Sequence, residues 1–66
     1  MQVKINGKTE NIQGGTVFDL LKAKNIEPQM VAIEVNDVML EHSHLATTTL
    51  KEGDQIEFLF YMGGGQ

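Results

Sequence analysis

The sequence predicts an α+β fold in which one short helix packs on one face of a mixed sheet of four to five strands. Two strand patterns joined by Asn6-Gly7 precede a helical pattern, and further strand patterns follow it. These strands are too few and too polar for a parallel sheet that is buried on both faces. With 66 residues, of which 41% are hydrophobic, the chain can build one domain around one small core.

The first two strands are predicted to form a hairpin. Apolar and polar residues alternate at the start of the chain, which predicts a half-buried strand with Met1, Val3 and Ile5 inward. Asn6-Gly7 predicts a type I′ turn, because both central residues of that turn need a positive φ. The returning strand is weak and polar, and Ile12 is its clear core residue.

The helix is predicted from its start signal and its apolar face. Thr16 stands where an N-cap belongs, and Asp19 completes an approximate capping box three residues later. Asn25 and Pro28 end the helix, which is predicted to span roughly residues 17–24. Its core face consists of apolar residues at helical spacing, namely Val17, Leu20 and Leu21.

Three further strand patterns follow the helix. Residues 31–35 are β-branched and alternating, and Asn36-Asp37 indicates a turn into a short strand at residues 38–40. Residues 42–49 have no clear period and are predicted to form a loop or a single helical turn. The last strand covers residues 55–61 after a glycine-centred turn.

The last strand has two different faces. Leu59 and Tyr61 lie on the face opposite the apolar residues that point inward. If the helix covers only one face, both side chains are exposed and form a docking surface for a partner; the alternative is that a loop covers them. The predicted core consists of Val3, Ile5, Val17, Leu20, Leu21, Val31, Ile33, Val35, Leu50, Ile56, Phe58 and Phe60.

Charge and composition exclude several classes of function. The chain has 9 acidic and 5 basic residues, a net charge of −4, and no arginine, so we expect no nucleic-acid partner. No apolar run reaches the length of a membrane span and no signal peptide is recognisable, so we expect a cytoplasmic protein without a membrane partner. The absence of cysteine removes disulfides, thiolate zinc sites and cysteine nucleophiles.

Three short groups contain residue types found in metal, catalytic or phosphate-binding sites, but the spacing or position of each group argues against such a site. His42 and His44 lack further ligands at characteristic spacing, so we expect solvated loop histidines and no metal. Glu52 and Asp54 flank a glycine in a turn, so both carboxyls are expected to be solvent-exposed, whereas acid–base catalysis requires one of them to be desolvated. Gly14-Gly15-Thr16 lacks the rest of a phosphate-binding loop and is predicted to be a turn with an N-cap.

The glycines near the end of the sequence are the main functional signal. A core-forming strand runs directly into Gly63, Gly64 and Gly65, which cannot contribute to a core. Such a segment suits extended backbone that threads a narrow channel where any Cβ would clash; the alternative is a frayed terminus. We therefore predict a domain at residues 1–62 and a flexible tail at residues 63–66.

Five short motifs follow one another along nearly the whole chain. They are the opening strand into Asn6-Gly7, Gly15-Thr16-Val17 with Leu20-Leu21, Val31-Ala32-Ile33-Glu34-Val35-Asn36, Leu50-x-Glu52-Gly53-Asp54-x-Ile56, and the glycine tail. Together they resemble the β-grasp sulfur carriers of the ThiS/MoaD family. The molybdopterin branch usually carries a Pro-Pro pair before its glycines, whereas this chain has Phe60-Tyr61-Met62, which favours the thiamin (ThiS) branch.

The resemblance implies a ubiquitin-like β-grasp fold and a role as a protein co-substrate rather than an enzyme. An E1-like adenylating enzyme (ThiF-like) would use ATP to activate Gly65, so the carrier itself would bind no cofactor. A cysteine-derived sulfur donor enzyme would supply sulfur for a thiocarboxylate, and a thiazole synthase (ThiG-like) would receive that sulfur. Gly63 and Gly64 would form the threading tail, and Leu59, Tyr61 and Met62 would contact the partner.

The sequence departs from the family pattern at one position. The family's reactive end is a glycine carboxylate, whereas here Gln66 follows Gly65, so we expect a C-terminal peptidase to remove it. Some sulfur carriers for cysteine or homocysteine biosynthesis resemble this arrangement, and that pathway is the first alternative. The second alternative is a non-reactive β-grasp binding module that works through the face around Leu59 and Tyr61.

Overall fold

A computed structural model describes residues 1–61 of the chain. Met62 and the predicted tail at residues 63–66 lie outside the described residues, so the predicted domain boundary stays a prediction. Within residues 1–61 the chain forms five strands, one α-helix and two short 3₁₀ helices. Their bounds are β1 Gln2–Ile5, β2 Lys8–Asn11, α1 Val17–Ala23, a 3₁₀ helix Pro28–Met30, β3 Val31–Val35, β4 Val38–Leu40, a 3₁₀ helix His42–His44, and β5 Gln55–Phe60.

The five strands form one mixed sheet in the order β2-β1-β5-β3-β4. The last strand in sequence, β5, therefore lies at the centre, parallel to β1 and antiparallel to β3. The two hairpins pair their strands antiparallel, β1 with β2 and β3 with β4. A mixed sheet with one helix confirms the predicted fold class.

Both predicted two-residue turns form, and Asn6-Gly7 has the backbone of the predicted type I′ turn. Asn6 and Gly7 have φ values of 50° and 83°, and Asn36 and Asp37 have φ values of 52° and 69°. Positive φ at both central residues is the type I′ requirement, which asparagine, aspartate and glycine tolerate best. The first hairpin is slightly shorter than predicted, and Ile12 follows it as a partly buried residue packed against the core.

The helix begins at the predicted capping box. The Asp19 backbone N–H donates to Thr16 Oγ1 over 3.1 Å, and the Thr16 N–H donates to the Asp19 carboxylate over 3.0 Å. Gly15 is required beside this box, because its φ is +101° and an added Cβ would lie 2.7 Å from Asp19 Oδ2. The helix ends at Ala23, one residue earlier than predicted, and Asn25 adopts φ +58° just beyond the Lys24 C-cap.

The core lies between the helix and the inner face of the sheet. Eleven hydrophobic residues are buried there, and ten of them were predicted. They are Val3, Ile5, Val17, Leu20, Leu21, Val31, Ile33, Leu45, Leu50, Ile56 and Phe58. Leu45 was missed because it follows the second 3₁₀ helix, in a segment without periodicity, and Val35 is only partly buried against the core.

The prediction of an inward, buried side chain was wrong for two residues, Met1 and Phe60. Met1 is 36% exposed, since it precedes β1 at the open end of the first hairpin, where its amino group donates to the Ile12 carbonyl oxygen. Phe60 is 53% exposed although it shares the inner side with Phe58. It lies beyond the layer that covers the sheet and contacts the Phe58 ring edge to face, with centroids 6.3 Å apart. Strand alternation predicts a side, but burial also needs a covering element.

Candidate functional site

The uncovered outer face of the sheet holds the described part of the predicted site. Leu59, which belongs to β5, is 47% exposed. Tyr61, which directly follows β5, is 54% exposed. On the inner side of the same strand, Ile56 is only 1% exposed and Phe58 6%. The predicted exposure of Leu59 and Tyr61 is confirmed, whereas their docking role stays a prediction.

The pairing of β3 with β5 surrounds these two residues with further apolar side chains. Ala32 is the direct cross-strand partner of Leu59. The Tyr61 backbone N–H donates to the Met30 carbonyl oxygen over 3.1 Å, so Met30 lies opposite Tyr61. Met39, on β4, is 55% exposed and shares the outer face. We call Met30, Ala32, Met39, Leu59 and Tyr61 the apolar patch.

Only part of the apolar patch was identifiable from the sequence. Leu59 and Tyr61 stood out because they alternate with core residues on a single strand. Met30, Ala32 and Met39 belong to the patch through the register of β3 with its two neighbours, which no local pattern specifies. For Met30 and Met39, the residue type itself was the one signal in the sequence, since methionine adapts to irregular partner surfaces.

Two glutamates border the apolar patch on the same face. Glu34 of β3 and Glu57 of β5 are direct cross-strand partners. Glu34 in turn pairs with Met39 on β4, so the carboxylates adjoin the apolar side chains. The outer face therefore combines apolar surface with concentrated negative charge.

The strand that precedes the predicted reactive segment is held at the centre of the sheet. β5 is the central strand, and the Tyr61–Met30 hydrogen bond continues its pairing with β3 by one residue beyond Phe60. Tyr61 is the last described residue, and Met62, Gly63, Gly64, Gly65 and Gln66 lie outside the described residues. In the sequence, the last residue of the apolar patch, Tyr61, therefore stands two residues before the glycine segment.

The first turn of the helix has no free N–H groups for a phosphate. The Val17 N–H donates to the Thr48 carbonyl oxygen over 3.0 Å, and the Phe18 N–H donates to the Leu45 carbonyl oxygen over 3.0 Å. The third N–H, from Asp19, is taken by the Thr16 hydroxyl oxygen. Because protein acceptors occupy these donors, Gly14-Gly15-Thr16 forms a turn with an N-cap, as predicted.

The carboxylates of the predicted turn have structural partners. Asp54 accepts the Lys51 N–H over 2.8 Å and the Asn36 side-chain amide over 3.0 Å. Glu52 accepts the Gln2 N–H over 3.2 Å, so it links the turn to β1. These contacts confirm that Asp54 satisfies groups of the turn, and they give Glu52 a structural role as well.

The two histidines lie in the short 3₁₀ helix before the buried Leu45. The His42 Nε2 atom lies 3.2 Å from the Val31 carbonyl oxygen, which ties this segment to β3. Within residues 1–61, no group of three or more histidine or acidic side chains is arranged to hold a metal ion. In the same part of the chain, no helix has the length and apolarity needed to span a membrane.

Within the described part of the chain, a mixed five-stranded sheet packs against one α-helix and has the last strand of the sequence at its centre, which defines a ubiquitin-like β-grasp domain. Comparison with known sequences narrows this class. The sequence model of the ThiS family matches residues 3–65, which is nearly the whole chain. The chain belongs to the ThiS family and is a ThiS-like sulfur carrier, as its motifs predicted.

Two solved structures from Geobacter metallireducens are similar to this chain. The first is the crystal structure of the thiamine biosynthesis protein ThiS, with a TM-score of 0.85 and 36% identity, covering 98% of this chain and 100% of that protein. The second is a solution structure of a thiamine biosynthesis protein, with a TM-score of 0.82 and 36% identity, covering 100% of this chain and 90% of the other. Both confirm the β-grasp topology.

Two thiazole synthases also contain a segment similar to this chain. The one from Magnetococcus marinus is 34% identical over 67 residues, and the one from Paramagnetospirillum magneticum is 32% identical over 66 residues. The similarity covers 100% and 98% of this chain but only 21% and 20% of those proteins. This chain therefore spans about a fifth of the length of these relatives.

Proposed function

We propose that this chain carries sulfur as a thiocarboxylate on Gly65 and donates it for thiazole formation in thiamin biosynthesis. Its membership of the ThiS family supports the carrier role, and its likeness to two structures of one thiamine biosynthesis protein from Geobacter metallireducens supports the pathway. The thiazole synthases that include a similar segment support a thiazole synthase (ThiG-like) as the acceptor of the sulfur.

The proposed chemistry begins with activation of a carboxylate. A Gly65 carboxylate oxygen attacks the α-phosphorus of ATP on an E1-like adenylating enzyme (ThiF-like), and pyrophosphate leaves. Sulfur at the sulfide oxidation level, supplied by a cysteine-derived sulfur donor enzyme, then attacks the acyl carbon, and AMP leaves. A donor that delivers persulfide sulfur needs a thiol reductant as well, which supplies two electrons to release the thiocarboxylate.

The product explains why a carrier needs no catalytic side chain of its own. A thiocarboxylic acid is far more acidic than an alkyl thiol, so at neutral pH it is an ionised sulfur nucleophile. The carrier is then a consumed co-substrate, and the ATP site belongs to the adenylating enzyme. The fully occupied N–H groups of the first helical turn support that assignment.

The observation that carries the proposal is that the exposed apolar patch includes Tyr61, which stands two residues before Gly63 in the sequence. Leu59 and Tyr61 would dock the adenylating enzyme together with Met62, which follows them in sequence. The Tyr61–Met30 hydrogen bond fixes the backbone at this point, so docking of the patch sets where the segment enters the enzyme. Gly63 and Gly64 would then pass through a channel too narrow for a Cβ.

Gln66 must be removed before Gly65 can react, and a C-terminal peptidase would do this. With Gln66 attached, a carboxylate at that residue lies about 3.5 Å further along an extended chain. An amide side chain would also stand where the channel accepts a hydrogen atom. Since a misplacement of about 1 Å can cost roughly a hundredfold in a positioned reaction, the uncut form should react poorly.

The test compares two purified proteins, one ending at Gly65 and one ending at Gln66. Each is incubated with ATP and the adenylating enzyme of the same organism, and pyrophosphate release is measured. The Gly65 form should release pyrophosphate, and the Gln66 form should stay near background. Equal rates would contradict the need for trimming, and no release from either would favour a non-reactive binding module.

The presence of Gln66 supports one second candidate, a sulfur carrier for cysteine or homocysteine biosynthesis. The adenylation chemistry would be the same, and only the acceptor of the sulfur would differ. Incubating the thiocarboxylate form with a thiazole synthase or with an activated amino-acid acceptor distinguishes the two. Sulfur transfer to the thiazole product supports the thiamin pathway, whereas transfer only to the amino-acid acceptor supports the second.

A further inference from the structure

The pair formed by Glu34 and Glu57 is unusual for two strands in the middle of a sheet. In the antiparallel pairing of β3 with β5, these residues lie directly opposite each other on the outer face. Directly opposed residues have Cβ atoms only about 5 Å apart. The backbone register therefore places the two glutamate side chains next to each other.

No counter-charge within residues 1–61 compensates this repulsion. Neither glutamate forms an ion pair there. Lys4, on the same face of the neighbouring β1, lies opposite Gln55, two residues before Glu57, and pairs with neither carboxylate. Like charges directly opposite each other destabilise a sheet, so the pair lowers the stability of the free protein.

Resting on the proposed function, we propose that the apolar patch and the Glu34–Glu57 pair form one docking surface for the adenylating enzyme. That enzyme would place a basic side chain, best an arginine, between the two carboxylates while its apolar surface covers the patch. A guanidinium carries several N–H donors in a planar fork and can serve two carboxylates at once. Binding then relieves the repulsion that the free carrier contains.

Charge complementarity selects this occupant over a second copy of the chain. A symmetric dimer through this face would bring two such pairs together in a protein whose net charge is already −4. A partner with basic residues around its binding surface is attracted by the negative potential of this chain. The same attraction also raises the rate of association at low salt. Because Glu34 lies next to Met39, one partner can cover the apolar patch and the glutamate pair at the same time.

The test uses Glu34→Gln, Glu57→Gln and the double variant, all on the carrier ending at Gly65. The matched control is Asp37→Asn, which removes one charge at the exposed β3–β4 turn, outside both the apolar patch and the glutamate pair, where asparagine tolerates the positive φ of 69°. Calorimetry with the adenylating enzyme, without ATP, gives the affinity at low and high salt. Thermal unfolding of each free variant gives its stability.

We expect each glutamine variant to bind roughly tenfold more weakly and the double variant to lose most of the salt dependence of binding. The free double variant should unfold about 2–4 °C higher, because the repulsion is gone. Asp37→Asn should change both measurements little. Weaker binding combined with higher stability separates a docking role from simple damage to the fold.

Several results would overturn the inference. One is unchanged affinity in the double variant, and another is a loss in Asp37→Asn as large as in Glu57→Gln, which would indicate net charge alone. A third is weakened binding only to a thiazole synthase or to a second copy of the chain, the latter measured by sedimentation. Pyrophosphate release by the wild-type carrier shows separately whether the proposed function itself holds.

Discussion

The inner and outer faces of the sheet differ in what their apolar residues do. On the inner face of β5, Ile56 and Phe58 are closed off by the helix layer. On the outer face, Leu59 and Tyr61 have about half of their surface exposed and adjoin two carboxylates that form no ion pair within residues 1–61. Within residues 1–61, a core of eleven residues occupies one side of the sheet and stabilises the fold, and the docking surface that we propose occupies the other side. Substitutions on the two faces should therefore affect different measurements.

The largest expected effect is on stability and comes from the inner face. Leu20→Ala removes a side chain that is 5% exposed and should cost about 2–5 kcal/mol, which is most of the stability of so small a domain. Leu59→Ala removes the same atoms from the outer face and should change stability by only about 0.5 kcal/mol. Urea or thermal unfolding measures both. An unchanged midpoint for Leu20→Ala would remove this residue from the core.

The next effect is on adenylation and comes from the outer face. Tyr61→Ser should slow adenylation at limiting enzyme by roughly thirtyfold, as expected for an aromatic anchor, while the Tyr61 backbone bond to Met30 is kept. Phe60→Ser is the matched control, because Phe60 is similarly exposed but on the other side of the same strand. If Tyr61→Ser is adenylated as fast as the wild type, docking lies elsewhere.

A smaller effect on stability should appear at the start of the helix. Gly15→Ala combines a positive φ with a close approach to Asp19 Oδ2 and should cost about 2 kcal/mol. Gly53→Ala has a similar φ of +85° but nothing within 4 Å of the added Cβ, so it should cost about 1 kcal/mol. Unfolding in urea measures the difference. Equal costs would show that the capping box accommodates the methyl group.

The smallest effect is a pH dependence at the same capping box. Hydrogen bonds from Thr16, first from its backbone N–H, lower the pKa of the exposed Asp19 carboxyl below its ordinary value. Because this pKa is lower in the folded state, its contribution to stability is present above the ordinary carboxyl pKa of about 4 and is lost as the pH falls through the folded pKa. Asp19→Asn should therefore differ from the wild type near neutral pH and converge with it in acid. A constant difference across that range would contradict this assignment.

The local features of the fold were predictable because their signals are local. Asn6-Gly7, Asn36-Asp37 and the box of Thr16 with Asp19 each specify backbone geometry through a few adjacent residues, and each formed as predicted. The alternation of apolar residues likewise specified which side of β5 enters the core. Each of these inferences needs only the chain's own local chemistry.

The remaining features depend on tertiary structure. Phe60 has the right parity for the core but lies beyond the covering layer, and Leu45 enters the core from a segment without a period. The neighbours of Leu59 and the opposition of Glu34 to Glu57 follow from the β3–β5 register, which is set by long-range pairing. The sequence therefore identified only part of the apolar patch, and it did not identify the glutamate pair that borders the patch.

The central claim, that the chain carries sulfur on Gly65, is tested most directly by the intact mass of the protein isolated from its own cells. The measurement needs no partner and reads the covalent state of the end of the chain. The account predicts a species without Gln66 in which one oxygen of the Gly65 carboxylate is replaced by sulfur. A protein that retains Gln66 and carries no added sulfur, in cells that are actively making thiamin, would contradict it.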